Sequence, residues 1–231
     1  MRQLRRAALV LLLLPASAQA ADRTWSIGSV ERLRVEAPVT VRVVTSGGNG
    51  VTAHGDDARA LAALDISASA GTLVIRRPGG RLAAPDTTHI VVTVRTPRLE
   101  GAALYAAAPV TVAGMKGERV AVSVTGGGTL TVQNIAATAL VATLAGDGTM
   151  TLAGRSGDTR LIANGSGTID AAALMADRLD VQALDKVAIA AAARDDARVN
   201  AIGEVVVTVS GRAPCAVRKL GPATVTCGTR R

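Results

Sequence analysis

Four acids of this sequence have the spacing that chemistry on a stacked surface would use: Asp147, Asp158, Asp170 and Asp180. Two carboxylates facing each other across a shallow groove can divide acid and base work on a glycosidic bond, one protonating the leaving oxygen while the other attacks or activates water. The rest of the chain supplies little for that polysaccharide-active reading. It has no Phe, one Trp and one Tyr, so sugars find no ring faces to stack on, and no long loop walls a cleft. A groove holding two carboxylates within about 10 Å of each other beside a basic residue would favour an enzyme. A smooth rod would favour a binding module.

Other chemistries have weaker signals. His54 and His89 have no Cys, His or acid at ligand spacing, and zinc needs three or four ligands, so each reads as a surface or internally satisfied histidine. No metal and no cofactor is expected. Gly165-Ser166-Gly167 lacks the flanks of a nucleophile elbow. No helix with Lys-Ser/Thr follows Gly126-Gly127-Gly128, which reads as a turn and not a phosphate cradle. Gly-Asp corners at a period near twenty, not nine, read as local turn hydrogen bonds and not calcium sites. Asn164-Gly165-Ser166 matches a glycosylation acceptor by chance. The outward threonines Thr129, Thr131, Thr149, Thr151 and Thr168 form a hydroxyl face suited to weak glycan or protein contact, although threonine is also simply a good exposed strand residue.

The first twenty residues read as an address. Arg2, Arg5 and Arg6 precede an apolar run from Ala7 to Leu14, and Ala18-Gln19-Ala20 fits a signal cleavage site after Ala20. The run is too short to cross a bilayer, which takes about 20 residues, and no later stretch qualifies. The expected destination is the periplasm, the cell surface or the medium. Without the three leader arginines, 23 basic residues stand against 18 acidic ones, and the excess lies in Arg212, Arg218, Lys219, Arg230 and Arg231. A nucleic-acid binder would spread its cations along a face, so no nucleic acid is expected. A cluster at a chain end reads as solubility, with contact to an anionic envelope component as the alternative. Cys215 and Cys227 are the two cysteines. An even count in an oxidising compartment predicts a disulfide between them.

These residues are positioned by a repeat. Gly126-Gly127-Gly128-Thr129-Leu130, Gly146-Asp147-Gly148-Thr149-Met150 and Gly165-Ser166-Gly167-Thr168-Ile169 are one motif at steps of 20 and 19. The series continues outward through Val110, Val187, Val205 and Val225, making seven related positions. A second apolar series, Val120, Leu140, Leu161, Leu179, Val199 and Val217, lies halfway between. Each period therefore predicts two short strands with a turn between them, and the alternation within Val120 to Val124 and Leu179 to Ala183 is the period of two of a half-buried strand. Gly126, Gly128, Gly146, Gly148, Gly165 and Gly167 are the structural corners, where positive φ carries little steric cost for glycine. A unit of about twenty residues cannot bury its own apolar face and must stack on its neighbours, bringing Leu130, Met150, Ile169 and Val187 into one internal ladder.

The predicted fold is all-β, a parallel β-solenoid or β-helix with coils of about 20 residues and an N-terminal β cap. Its parts are a leader over 1–20, a cap segment over 21–100 and a repeat region over 101–231 continuous with the cap. Ala171 to Arg198 is rich in Ala, Leu and Arg, and propensity alone calls it helix; the register calls it strand. Asp56 to Leu64 reads as one short helix capped by Asp56.

The opening Ile27-Gly28-Ser29-Val30-Glu31-Arg32-Leu33-Arg34-Val35-Glu36-Ala37-Pro38-Val39-Thr40-Val41, then Gly71-Thr72-Leu73-Val74-Ile75, then the tandem Gly-x-Gly-Thr strands resemble the bacterial putative auto-transporter adhesin head GIN domain family over roughly residues 27 to 227. The resemblance implies an exported β-helical domain of largely uncharacterised function. Leu184-Asp185-Lys186 and Ala201-Ile202-Gly203 depart from its Gly-Ser-Gly corners. The reading is thus an exported, non-enzymatic β-solenoid, adhesin-like or devoted to cell-envelope interaction with a glycan or protein; the alternative is a polysaccharide-active β-helix enzyme.

Overall fold

A computed structural model describes residues 21–45, 47–78 and 90–228. The leader over 1–20, His89 and the terminal Arg230 and Arg231 lie outside the described residues. The described strands form one 17-stranded sheet wound into about six stacked turns of about 20 residues, a β-solenoid. In the repeat region the strands are β10 (Met115–Thr125), β11 (Thr129–Gly146), β12 (Thr149–Gly165), β13 (Thr168–Asp185), β14 (Ala188–Gly203), β15 (Val206–Gly211), β16 (Cys215–Leu220) and β17 (Thr224–Cys227), all paired in parallel. The two short strands expected per period are fused in β11 to β14, where ladder pairing resumes past the mid-coil bend, with register irregularities there in place of a turn. Ala171 to Arg198 falls almost wholly within β13 and β14. Burial of its inward alanines between neighbouring coils overrides its helix propensity.

The register corrects both apolar ladders. Leu130, Met150 and Ile169 do stack, but the next rungs are Ile189, Val207 and Val225. Val187 and Val205 sit one inward position earlier, at the corner. The halfway series also mixes two columns, Val120–Leu140–Thr159–Leu179–Ala197 and Val122–Ala142–Leu161–Val181–Val199. Coil length shrinks from 20 to 18 along the chain, and a slip of two residues keeps a side chain on the same face, so alternation alone cannot reveal it.

The six corner glycines form two columns with different reasons to be glycine. Gly126, Gly146 and Gly165 have φ of +89°, +120° and +119°, the left-handed region that favours glycine. In the next coil Asp185 takes that place at φ +71°, a conformation that Asp tolerates better than most side chains. In the second column, Gly128, Gly148 and Gly167, the constraint is space. A Cβ at Gly148 would lie 2.7 Å from the Gly128 carbonyl oxygen and 2.8 Å from Val124 Cγ1, and one at Gly167 would collide with the Gly148 oxygen and approach Leu144 Cδ2 to 2.8 Å.

The N-terminal part shares the same hydrophobic core. Its strands β2 (Arg32–Val35) and β3 (Thr40–Val44) pair in parallel with β8 (Gly101–Leu104) and β9 (Pro109–Val112), which lead into β10 and β11. On their other side lie β6 (Thr72–Arg76) and β7 (Val91–Arg95), also parallel. Beyond these the direction reverses: β5 (Asp65–Ser69) runs antiparallel to β6, β4 (Gly50–Gly55) antiparallel to β7, and β1 (Ala21–Trp25) antiparallel to β4. Helix α1 (Ala58–Ala62) buries Ala60 and Leu61. Its N-cap is Asp57, not Asp56: the Asp57 carboxylate accepts from the Arg59 backbone N–H at 2.8 Å, satisfying a free helix donor.

A candidate binding flank

In-register stacking sets every outward residue above its counterpart in the next coil. On the wall formed by the second halves of β12, β13 and β14 this builds two charged columns. Asp158, Arg178 and Asp196 form one, and Arg160, Asp180 and Arg198 form the other, two residues along. Signs alternate both along and across the columns. Like charges stacked about 4.8 Å apart would repel; here each charge lies next to its opposite. Arg178 donates to both Asp158 oxygens, from Nε at 2.5 Å and from Nη2 at 2.9 Å. Arg198 lies 3.5 Å from Asp196, and Asp180 accepts from Gln182 at 3.4 Å. The hydrogen bond from Arg178 holds the Asp158 carboxyl below the usual carboxylate range, and Asp158 in turn raises the Arg178 guanidinium.

These columns line a shallow groove of about 300 Å³ whose floor passes over Leu140, Thr159 and Leu179. Thr159 Oγ1 is buried without a hydrogen-bond partner. The groove is followed toward the N-terminal end by concavities of about 580 and 670 Å³ sharing Arg98, Glu118 and Thr138, where Gly117, Ala136 and Ala137 keep the surface low. Arg98 pairs with Glu100. Among the described residues Lys116, Arg119 and Arg160 make no ion pair, so cations remain available along this strip.

Of the four acids singled out in the sequence, the fold brings Asp158 and Asp180 together and separates the others. Asp147 sits at a corner against Gly127. Asp170 lies on the opposite wall, accepting from the Ala172 N–H at 3.1 Å. That wall carries the hydroxyl face: Thr111, Thr131, Thr151, Asp170, Ala190, Thr208 and Thr226 are successive rungs, and the column continues into the cap through Arg42, Thr93, Thr52 and Thr24. Arg160, Arg178, Asp196 and Arg198 were not singled out from the sequence. Their signal is Asp-x-Arg at 158, Arg-x-Asp at 178 and Asp-x-Arg at 196, a triplet that inverts its charges at each coil. His54 Nδ1 lies 2.6 Å from Asp22 Oδ1 as a surface pair joining β4 to β1, and the described residues contain no cluster of potential metal ligands. Cys215 and Cys227 form a disulfide, with Cα atoms 6.4 Å apart. No helix among the described residues is long and apolar enough to cross a membrane.

No curated protein matches the chain in sequence. Among solved structures it resembles an adhesin, so described as putative, from Bacteroides fragilis NCTC 9343, with TM-score 0.77 and 17% identity over 91% of this chain and 98% of the other. It also resembles two proteins of the same description, from Parabacteroides merdae ATCC 43184 and Parabacteroides distasonis ATCC 8503. Their TM-scores are 0.69 and 0.68 at 13% and 16% identity, covering 92% and 91% of this chain and 98% of each neighbour. At these identities the likeness shows a common fold. The sequence model described as "Putative auto-transporter adhesin, head GIN domain" matches residues 30–213, and the chain belongs to that family.

Proposed function

We propose that the protein is an exported, non-enzymatic module that holds a cell-envelope glycan or protein on its charged flank. The observation carrying this reading is the pairing of Asp158 with Arg178. A glycosidase needs one carboxyl held protonated near neutral pH by a raised pKa, and here the arginine pushes the Asp158 carboxyl the other way, which suits a fixed ion pair and not a general acid. Guanidinium groups already oriented by carboxylates present fixed hydrogen-bond donors, which suits recognition of hydroxyl or carboxylate groups. Family membership agrees with an adhesin-like role, and a disulfide agrees with an oxidising, exported location.

The enzymatic alternative rests on a specific feature. Asp158 and Asp180 are diagonal neighbours about 8 Å apart by sheet geometry, beside Arg160 and Arg178, which meets the spacing an acid–base pair would need. One experiment separates the two: a glycan array probed with the purified protein, run beside a polysaccharide degradation assay. Binding without release of reducing ends, weakened in Arg160→Gln, is the expected result. Degradation abolished by Asp158→Asn or Asp180→Asn would establish the enzyme instead.

A further inference from the structure

The two ends of the solenoid differ in charge as well as closure. From Val205 onward the chain has no acid. The described part of this tail carries Arg212, Arg218 and Lys219, all exposed and none in an ion pair. Elsewhere acids are interspersed with the cations and pair with some of them, as in Arg34–Glu36, Arg76–Asp65, Arg178–Asp158 and Arg194–Asp177. Apolar exposure concentrates at the same end. Of the seven large apolar side chains that stand exposed among the described residues, four lie here: Ile202, Val206, Val217 and Leu220. Leu220 is 68% exposed and stacks directly on Ile202. Val217 belongs to an inward column, stacked on Val199, and among the described residues no strand pairs on its other side.

We infer that this last coil seats the molecule on an anionic lipid bilayer. Basic residues beside exposed aliphatic side chains match the boundary between anionic headgroups and acyl chains, where charge attraction and apolar burial act together. A soluble polyanion would engage the cations and leave Leu220 and Ile202 in water. A second copy placed tail to tail would set like charges against each other, and the opposite end of the solenoid is closed by antiparallel strands and α1. The inference is independent of what the flank holds.

The test is co-sedimentation of the exported protein with vesicles of phosphatidylcholine, with and without phosphatidylglycerol. Partition only into the phosphatidylglycerol vesicles, weakening as salt rises, is expected. Each cation removed should lower the partition coefficient about five-fold, so Arg212→Gln/Arg218→Gln/Lys219→Gln together lose about a hundred-fold. Leu220→Ser should lose several-fold on vesicles and bind immobilised polygalacturonate no differently from the parent. Circular dichroism checks that these exposed substitutions leave the fold intact. Equal partition with and without phosphatidylglycerol, no partition at all, or a Leu220→Ser variant that keeps full vesicle binding would overturn the inference. Arg160→Gln on the flank should leave partition unchanged, so this reading and that of the flank fail separately.

Discussion

The upper and lower halves of the stack solve one corner-packing problem in opposite ways. In the upper coils the wall residue is large and the corner residue is glycine: Leu104 leans over Gly128, Val124 over Gly148 and Leu144 over Gly167. In the lower coils the same wall column continues as Ala163, Ala183 and Ala201, and the corner column as Val187, Val205 and Ala223. Val187 and Val205 are buried, so volume given up by the wall is filled from the corner, as a densely packed interior requires. One inward column diminishes as well, from Leu140 through Thr159 and Leu179 to Ala197. The narrower lower coils end on the Cys215–Cys227 bridge. Cys215 stacks on buried Ala197 and Cys227 on buried Val209, so the bridge spans the interior from wall to wall. A motif read as a marker of corners therefore marks the wide half of the core, and its disappearance marks a smaller cross-section.

The sharpest way to break this comparison is to exchange the corner residues. Gly167→Val should cost more than about 3 kcal/mol by denaturant unfolding, since the added Cβ meets backbone as well as Leu144. Adding Leu144→Ala should recover about 1 kcal/mol or more relative to the sum of the single changes, through shared space. Simple additivity would show that the two columns do not compensate.

Next in size is the lower closure. Cys215→Ser/Cys227→Ser should destabilise the protein by about 2–4 kcal/mol. Hydrogen exchange should accelerate in β16 and β17 ahead of β1 and β4, because the cap holds its end by strand pairing and helix burial. Uniform acceleration along the stack would mean the bridge does not act locally.

The smallest effect concerns the charged columns. The Asp158 carboxyl is held below its ordinary value in the fold, so its contribution to stability is present above the ordinary carboxylate range and is lost as pH falls through the lower folded value. Asp158→Asn should differ slightly from the parent at neutral pH, and the difference should vanish in acid. A difference that grows in acid would contradict the pairing. Salt should shrink it too, since the pair is exposed.

Alternation, the Gly-x-Gly-Thr repeat and the two cysteines are local signals, and they suffice for the strands, the stacking, the disulfide and the family. Periodicity of two survives any slip by two, so which valines share a rung was not legible, and neither was the inversion of charge between the triplets at 158, 178 and 196 until the coils were set in register. Likewise, the Asp-Asp pair at the head of α1 does not by itself say which carboxylate reaches the helix donor. The order of strands and their alternation are written along the chain, because each depends on neighbours a few residues away; that no side chain fits at Gly148 or Gly167 depends on the coil about twenty residues earlier. Which residues twenty positions apart touch, and hence which acids face arginines and which cations remain unpaired, was decided only by the folded stack. A change of one or two residues in coil length moves every later contact while leaving every local pattern intact.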